Sequence, residues 1–258
     1  MSAADDAALA QIRQNLVDTA GNYLKNCRRI PSLTCAKCVG YRAGYHTCYR
    51  CEFEYASGAD LVGSMIYAGD GLQAGRLMYG YKSAVPGPSH RLTMTSLLAI
   101  GLVGHMDCAI TLVGARPSHW ATVPSLRNIG SAHPLRQILL DLLPEDFEIK
   151  VAASPEVAGK TDQERRRFHP AYYALQTAVP AGSHVIVVDD TYTSGAHSQS
   201  VAKALKDAGA AKVSVLTVAR WIEMEKPPVK QFFLEHIADQ PYDPMACPWT
   251  AGSCPPRP

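Results

Sequence analysis

The sequence predicts an α/β fold, a parallel sheet flanked by helices, with a small four-cysteine module near its N-terminus. Three observations carry this. The run Val185-Ile186-Val187-Val188 is a buried-strand pattern that ends in Asp189-Asp190, a Thr/Ser/Gly loop and a helix-forming stretch. From Trp120 onward, short apolar runs alternate with helical ones, the rhythm of parallel strands joined by crossover helices. Cys35-x2-Cys38 and Cys48-x2-Cys51 form two closely spaced pairs.

Taken in order, Ala3–Leu24 reads as an amphipathic helix with Leu9, Ile12, Leu16 and Tyr23 near one face. Cys27–Tyr55 has little periodicity. Asp60–Lys82 mixes apolar residues and ends in Tyr79-Gly80-Tyr81-Lys82. A Pro/Gly/Ser break at Val85–Ser89 precedes one long helical run, Leu92–Leu112. Trp120–Val123 reads as a strand, Pro124–His133 as its loop and Pro134–Leu143 as a helix. Glu148–Ala152 is a further strand, and Ser154–His169 a polar, basic, mobile loop carrying Lys160 and Arg165-Arg166-Arg167. Strand His184–Val188, helix His197–Ala208 and strand Lys212–Ala219 follow, with Gly209 ending the helix. Glu223–Pro258 is Pro-rich and irregular. No internal repeat is visible.

Composition narrows the class. Of 258 residues, 47% are hydrophobic and 19% charged, enough apolar surface for a sizeable core. A net charge of +2 gives no polyanion-coating surface. Met1–Ala20 lacks the apolar segment of a secretory signal, and Leu97–Ala115 is interrupted by His105 and Asp107. The expectation is a soluble, cytoplasmic protein that does not engage a membrane. In a reducing compartment eight cysteines point to metal ligation before disulfides.

Each Cys-x2-Cys pair lets two thiolates face one ion from a tight turn, so Cys35, Cys38, Cys48 and Cys51 predict a tetrahedral structural zinc. Gly40 and Gly44 permit the reversal between the pairs. With four protein ligands the ion has no position for substrate, which assigns it to folding or recognition. Tyr41, Arg42, Tyr45, His46, Tyr49 and Arg50 suit either stacking on single-stranded nucleic acid or packing of the module on its neighbour; packing is the favoured reading. Cys247 and Cys254 read either as a second site closed by Cys27 or His236, or as unpaired thiols, the latter favoured. Cys108, on an apolar helix, reads as a core residue.

Open parallel sheets bind ligands at the carboxyl ends of their strands. A loop of small residues feeding a helix N-terminus suits a phosphate, because unpaired backbone N–H groups converge there. Two carboxylates beside such a cradle predict a ligand with hydroxyls and a phosphate, such as a ribose 5-phosphate. The alternative is a pair of turn or capping acids.

The Val185–Gly195 signature resembles the phosphoribosyl-pyrophosphate (PRPP) motif of type I phosphoribosyltransferases. With the cysteine module in front, the chain resembles the ComF-like, amidophosphoribosyltransferase-like family over roughly Cys35 to Arg220. The resemblance implies an N-terminal helix at 1–26, a zinc module at 27–56, a phosphoribosyltransferase-like domain at 57–222 and a C-terminal extension at 223–258. It implies that Asp189 and Asp190 bond the ribose hydroxyls, and that Thr191, Thr193, Ser194, Gly195, Ala196 and His197 form the 5-phosphate loop. Pro124 and Ser125 fall in the place of the pyrophosphate loop, with Arg127 as its cation. Asp190 and Arg127 are the implied catalytic residues, although Arg127 also reads as a solvated loop arginine. Asp162–His169 occupies the place of the flexible closing loop; Arg165–Arg167 there supply charge on closure or, as favoured, form a solvated run. Tyr81-Lys82 resembles a Tyr-Lys pair of the family, and a surface lysine explains it equally. Two departures stand out: His197 replaces a hydroxyl residue, and Leu126–Leu135 lacks the family's arginine-dense, Gly-Phe-Asn-Gln-containing loop.

The implied activity is Mg-dependent displacement of pyrophosphate from ribose C1 by a nucleobase or amine, with PRPP or a ribose 5-phosphate nucleotide as ligand. The alternatives are a PRPP-sensing or nucleic-acid-associated protein without transfer, and hydrolysis of the activated sugar. A homo-oligomer is compatible with the family.

Overall fold

Val185, Val187, Val188, Val213, Val215 and Leu216 are fully buried, the signature of strands covered on both faces. The computed structural model describes residues 3–83, 85–130 and 133–256. It runs α1 (Ala3–Ala20), β1 (Leu61–Ala68), α2 (Gln73–Gly80), α3 (Pro88–Ala99), α4 (Met106–Val113), β2 (His119–Thr122), α5 (Pro134–Leu140), β3 (Val151–Ala153) and α6 (Asp162–Arg165). Then come β4 (Tyr173–Leu175), β5 (His184–Tyr192), α7 (Ala196–Asp207), β6 (Lys212–Trp221) and α8 (Pro227–His236).

Four parallel strands form the main sheet in the order β1-β6-β5-β2, with Ala121 opposite Val187 and Val187 opposite Val215. β3 and β4 pair antiparallel as a separate ribbon. The two-residue period of the strands splits their side chains between two cores. Ile186, Val188, Leu216 and Val218 face Leu16, Leu97 and Ile138 of α1, α3 and α5. Val185, Val187, Val213 and Val215 face Val201 and Leu205 of α7, together with Cys35, Cys38 and Cys51. The cysteine module therefore packs directly on one side of the sheet.

Several sequence expectations shift. α1 ends at Ala20, short of Leu24, while Leu9 and Leu16 are buried as its pattern requires. The single run Leu92–Leu112 is two helices: α3 runs on into a π-turn at Ile100–Gly104, and at His105 the chain bends by 47° into α4. Asp60–Lys82 resolves into β1 and α2. The strand expected at Glu148–Ala152 begins at Val151, although Glu148 makes an isolated parallel bridge to Trp120. Ser154–His169 holds a short 3-10 turn, Pro155–Val157, and α6, where Thr161 and Glu164 form a reciprocal capping box. The Pro-rich end is not irregular throughout, since α8 buries Phe232 and Phe233 and Trp249 is fully buried.

β5 continues past Val188 to Tyr192 because Thr191 and Tyr192 still pair with Ala219 and Arg220 of β6. Asp189 and Asp190 thus sit within the last residues of a central strand. Among the described residues no single helix is long and apolar enough to cross a membrane; only the bent pair Pro88–Gly104 and Met106–Val113 passes that test jointly.

Candidate functional site

Neighbouring residues of a strand point to opposite faces, and the two carboxylates do so. Asp189 faces α7, where its Oδ2 accepts from Ser198 Oγ at 2.7 Å and its Oδ1 accepts from the Asp190 backbone N–H at 2.9 Å. Asp190 faces the end of α2: its Oδ2 lies 2.5 Å from Lys82 Nζ and accepts from the Tyr81 hydroxyl. Both side chains are over nine-tenths buried (Asp189 8% and Asp190 5% exposed), which disfavours their charged forms. Burial, then the neighbouring Asp190 charge, pushes the Asp189 carboxyl up to about 7. Burial presses Asp190 the same way, but Lys82 and the Tyr81 hydroxyl outweigh it and hold this carboxyl below its ordinary range. The pair shares its site by splitting its protonation behaviour.

The loop after β5 is short and braced. Gly195 has φ 87°, and a Cβ there would fall 2.1 Å from the Tyr192 ring, so only glycine fits. α7 begins at Ala196, and the first-turn N–H groups of such a helix lack intrahelical acceptors. Arg220 Nη1 donates to the carbonyls of Tyr192 and Thr193 at 2.6 Å each, and Tyr55 Oη donates to Ser194 O at 3.0 Å. Gln199 links the Tyr192 hydroxyl (3.1 Å) to the Ala59 backbone N–H (2.9 Å). Tyr55 belongs to the segment following Cys51, and Arg220 lies so close to Gly40 that a Cβ there would meet Nη2 at 2.2 Å. The cysteine module and the loop are one packed unit.

Cations gather around the loop. His197 Nδ1 lies 2.6 Å from the Tyr173 hydroxyl, and burial, then Arg166 and Arg127, hold its imidazole below the ordinary histidine range. Arg166 and Arg127 thus act on His197, in the loop's first helical turn. Arg127 also pairs with Asp162 of α6 at 2.7 Å, both half-exposed or more, which joins the loop after β2 to the basic segment. Ser125 Oγ accepts from the N–H groups of Arg127 (3.3 Å) and Asn128 (3.0 Å), fixing a turn. Beside it lies a cleft of 450 Å³ lined by Pro124, Ser125, His133, Arg136, Gln137 and Gln176. His133 lines this cleft, and burial lowers its imidazole against the raising pull of the Asp190 charge. Its Nδ1 is buried without a hydrogen-bond partner.

Four thiols converge as their spacing predicts. The Sγ atoms of Cys35, Cys38, Cys48 and Cys51 lie within 4.8 Å of one another, with Cys38 and Cys48 at 3.9 Å. The Cys48 N–H points at Cys35 Sγ (3.3 Å), and Val39, at φ 50°, makes the reversal after Cys38. This donor set fits a tetrahedral metal ion. The remaining cysteines do not follow expectation. Cys247 and Cys254 meet His105 and Cys108, rather than Cys27 or His236. Cys108 is buried, but it is a member of that cluster as well as of the core.

Sequence reasoning placed Asp189, Asp190 and their loop, and named Tyr81-Lys82 without placing it. It missed Ser198, Tyr173, His133 and Arg220 as partners. Ser198 lies in a polar run, His197-Ser198-Gln199-Ser200, that gives no signal of its own, and Tyr173 stands in an apolar stretch, a weak one; Arg220 near the end of an apolar strand is a stronger one.

Comparison with known proteins gives limited likeness. Yeast (Saccharomyces cerevisiae) adenine phosphoribosyltransferase, solved with an imino-altritol bisphosphate and adenine, matches at 14% identity and TM-score 0.32, covering 54% of this chain and 80% of its own. Trypanosoma cruzi hypoxanthine phosphoribosyltransferase matches at 12% identity and TM-score 0.32, covering 50% and 74%. No protein-family model and no curated protein matches the chain.

Proposed function

We propose that the loop Asp189–His197 binds the ribose 5-phosphate part of PRPP and that the protein is a phosphoribosyltransferase-like enzyme. One observation supports this above the others. Two buried carboxylates end a central parallel strand and lead, through a loop that admits only glycine at 195, into a helix N-terminus. Turn or capping acids do not need burial, and a buried pair held by Lys82, Tyr81 and Ser198 is built to meet polar groups of a ligand. In this reading Asp189 and Asp190 receive the ribose hydroxyls, exchanging their present partners for them. Thr193, Ser194, Gly195, Ala196 and His197 present N–H groups to the phosphate, with Thr191 at the loop's start. Ser125 and Pro124 line the cleft beside it, which would take the diphosphate, and Arg127 follows Ser125 in the same turn.

Magnesium, bound with the diphosphate beside Asp189 and Asp190, would supply charge neutralisation for the leaving group. Positive charge from Arg127 and Arg166 and the shelter of the Asp162–His169 segment serve the same leaving group. The four-cysteine site holds zinc in a structural role, since all four positions are filled by protein and the module braces the loop through Tyr55 and Arg220. A second reading, PRPP binding without transfer, is favoured by one feature: Arg127 is spent on Asp162 at the surface while the Asp pair is fully built.

The test is release of pyrophosphate from PRPP and Mg in the presence of nucleobases and amines in turn. Acceptor-dependent release that Asp190→Ala abolishes supports the enzyme. Tight binding with no release for any acceptor supports the sensor, and release independent of acceptor marks a hydrolase.

A further inference from the structure

We infer a second structural zinc site, made by His105, Cys108, Cys247 and Cys254, that fastens the C-terminal tail to the corner between α3 and α4. It lies apart from the PRPP loop and does not depend on how that loop is used.

Geometry carries the inference. The ligand atoms of the four residues lie within 4.8 Å of one another. His105 Nδ1 is 3.8 Å from Cys108 Sγ and 3.5 Å from Cys254 Sγ. With Zn–S near 2.3 Å and Zn–N near 2.0–2.1 Å, the edges of a tetrahedron about zinc are roughly 3.5–3.8 Å. The separations are those of ligands around one ion, and they match the 3.9 Å between Cys38 and Cys48 in the first cluster. Nδ1 faces the sulfurs, which leaves the ring proton on Nε2. A Cys3His set selects zinc over harder ions.

The elements around the site are shaped to deliver these ligands. The π-turn ends at Gly104, and His105, at φ −125°, breaks the helix so that His105 and Cys108 project from one corner. Cys247 and Cys254 flank a tight reversal: the Cys247 N–H donates to Gly252 O at 2.8 Å, and Ala251 takes φ 53°. Trp249 at its tip is 1% exposed and lies against Gly63, while the Ser64 N–H donates to Pro248 O at 3.3 Å. Such a tail, rich in proline and poor in regular structure, gains a fixed position from a metal cross-link. A thiol that merely fills the core needs no imidazole nitrogen beside it, and Cys254 is exposed, so core filling does not explain it. That exposure also gives the ion a path in. Cys108, Cys247 and Trp249 belong to the core on the α1–α5 side of the sheet, whereas Cys35, Cys38 and Cys51 belong to the other. The two clusters flank the sheet from opposite faces.

Metal content of the full-length protein, purified under reducing conditions, tests this directly. The expected result is two zinc ions per chain, falling to one in Cys254→Ser and to one in Cys38→Ser. Cobalt replacement in the unaltered chain should add thiolate-to-metal absorption from seven sulfurs rather than four. That reading decides the question even where a variant fails to fold. One zinc per chain that Cys254→Ser leaves in place, with a cobalt spectrum of four thiolates, would overturn the second site. A Cys247–Cys254 disulfide that persists in protein purified under reducing conditions would overturn it as well. Loss of the first cluster's zinc alone leaves one ion that Cys254→Ser removes, which separates failure of one site from failure of the other.

Discussion

Two loops stand side by side at the carboxyl ends of β5 and β2, and they are built to different standards. The loop after β5 is held by Tyr55, Arg220 and Gln199, and its acids are buried and individually partnered. The loop after β2 is held at one turn by Ser125, and its cation Arg127 is half-exposed and paired to an equally exposed Asp162. Binding of a sugar phosphate, the role proposed for the loop after β5, needs preformed geometry, and that loop holds the buried, partnered carboxylates. Leaving-group chemistry, which the proposed function places at the loop after β2, tolerates a cation that swings in, and among the described residues Arg127 there makes a surface ion pair. Under the proposed function, the contrast is between a rigid ligand site and an adjustable reaction edge.

The largest break of that contrast is Arg220→Met. It removes two charge-assisted hydrogen bonds to loop carbonyls from a partly buried guanidinium beside Cys38, and should destabilise the fold by about 3–5 kcal/mol. Chemical denaturation measures the loss, and PRPP affinity should fall in the fraction that stays folded. A drop under about 1 kcal/mol would show that the loop is not braced from the module.

Next comes the pH dependence set by Asp189. Its carboxyl is raised to about 7 by burial and by Asp190, so the folded state holds a proton that the unfolded chain releases near pH 4. That contribution is fully present below about pH 4 and is lost as pH rises through about 7, a fall of order 2–4 kcal/mol. Asp190, with its carboxyl lowered, acts in the opposite sense and only below about pH 4. Melting temperature should decline between pH 5 and 8, and Asp189→Asn should flatten the decline; an unchanged slope would remove Asp189 from the account.

Lys82→Met is smaller. It leaves Asp190 buried with only Tyr81, but Lys82 is 44% exposed and water replaces part of its charge, so about 1–3 kcal/mol is expected by denaturation. Arg127→Ala is the smallest in stability, under about 1 kcal/mol, because it breaks an exposed pair. Its value lies in kinetics. If the loop after β2 stabilises the leaving group, turnover drops by about 100-fold or more while PRPP affinity changes little; equal turnover would confine function to the loop after β5.

How much of this was legible in the residues follows from distance along the chain. The Asp189–Gly195 loop is contiguous, and its strand, turn and helix signals fall within a dozen residues, so its place at the end of a central strand was readable. The first cysteine cluster is legible for the same reason. The second cluster joins residues 105 and 108 to 247 and 254, and no local spacing foretells that the tail returns to the α3–α4 corner. Arg220 and Tyr55 likewise act across the sheet, through packing that appears only once the module lies on β5 and α7. The helix break at His105, after the π-turn Ile100–Gly104, was hidden by apolar composition.

Calorimetric titration of PRPP with Mg into the wild-type protein and into Asp190→Asn tests the central claim most directly. The substitution keeps the side chain's shape but removes the charge that Lys82 and a ribose hydroxyl both use. Saturable binding by the wild type, weakened about 10-fold to 100-fold in the variant, is the predicted result. No binding by the intact protein, or equal affinity in both, would contradict it.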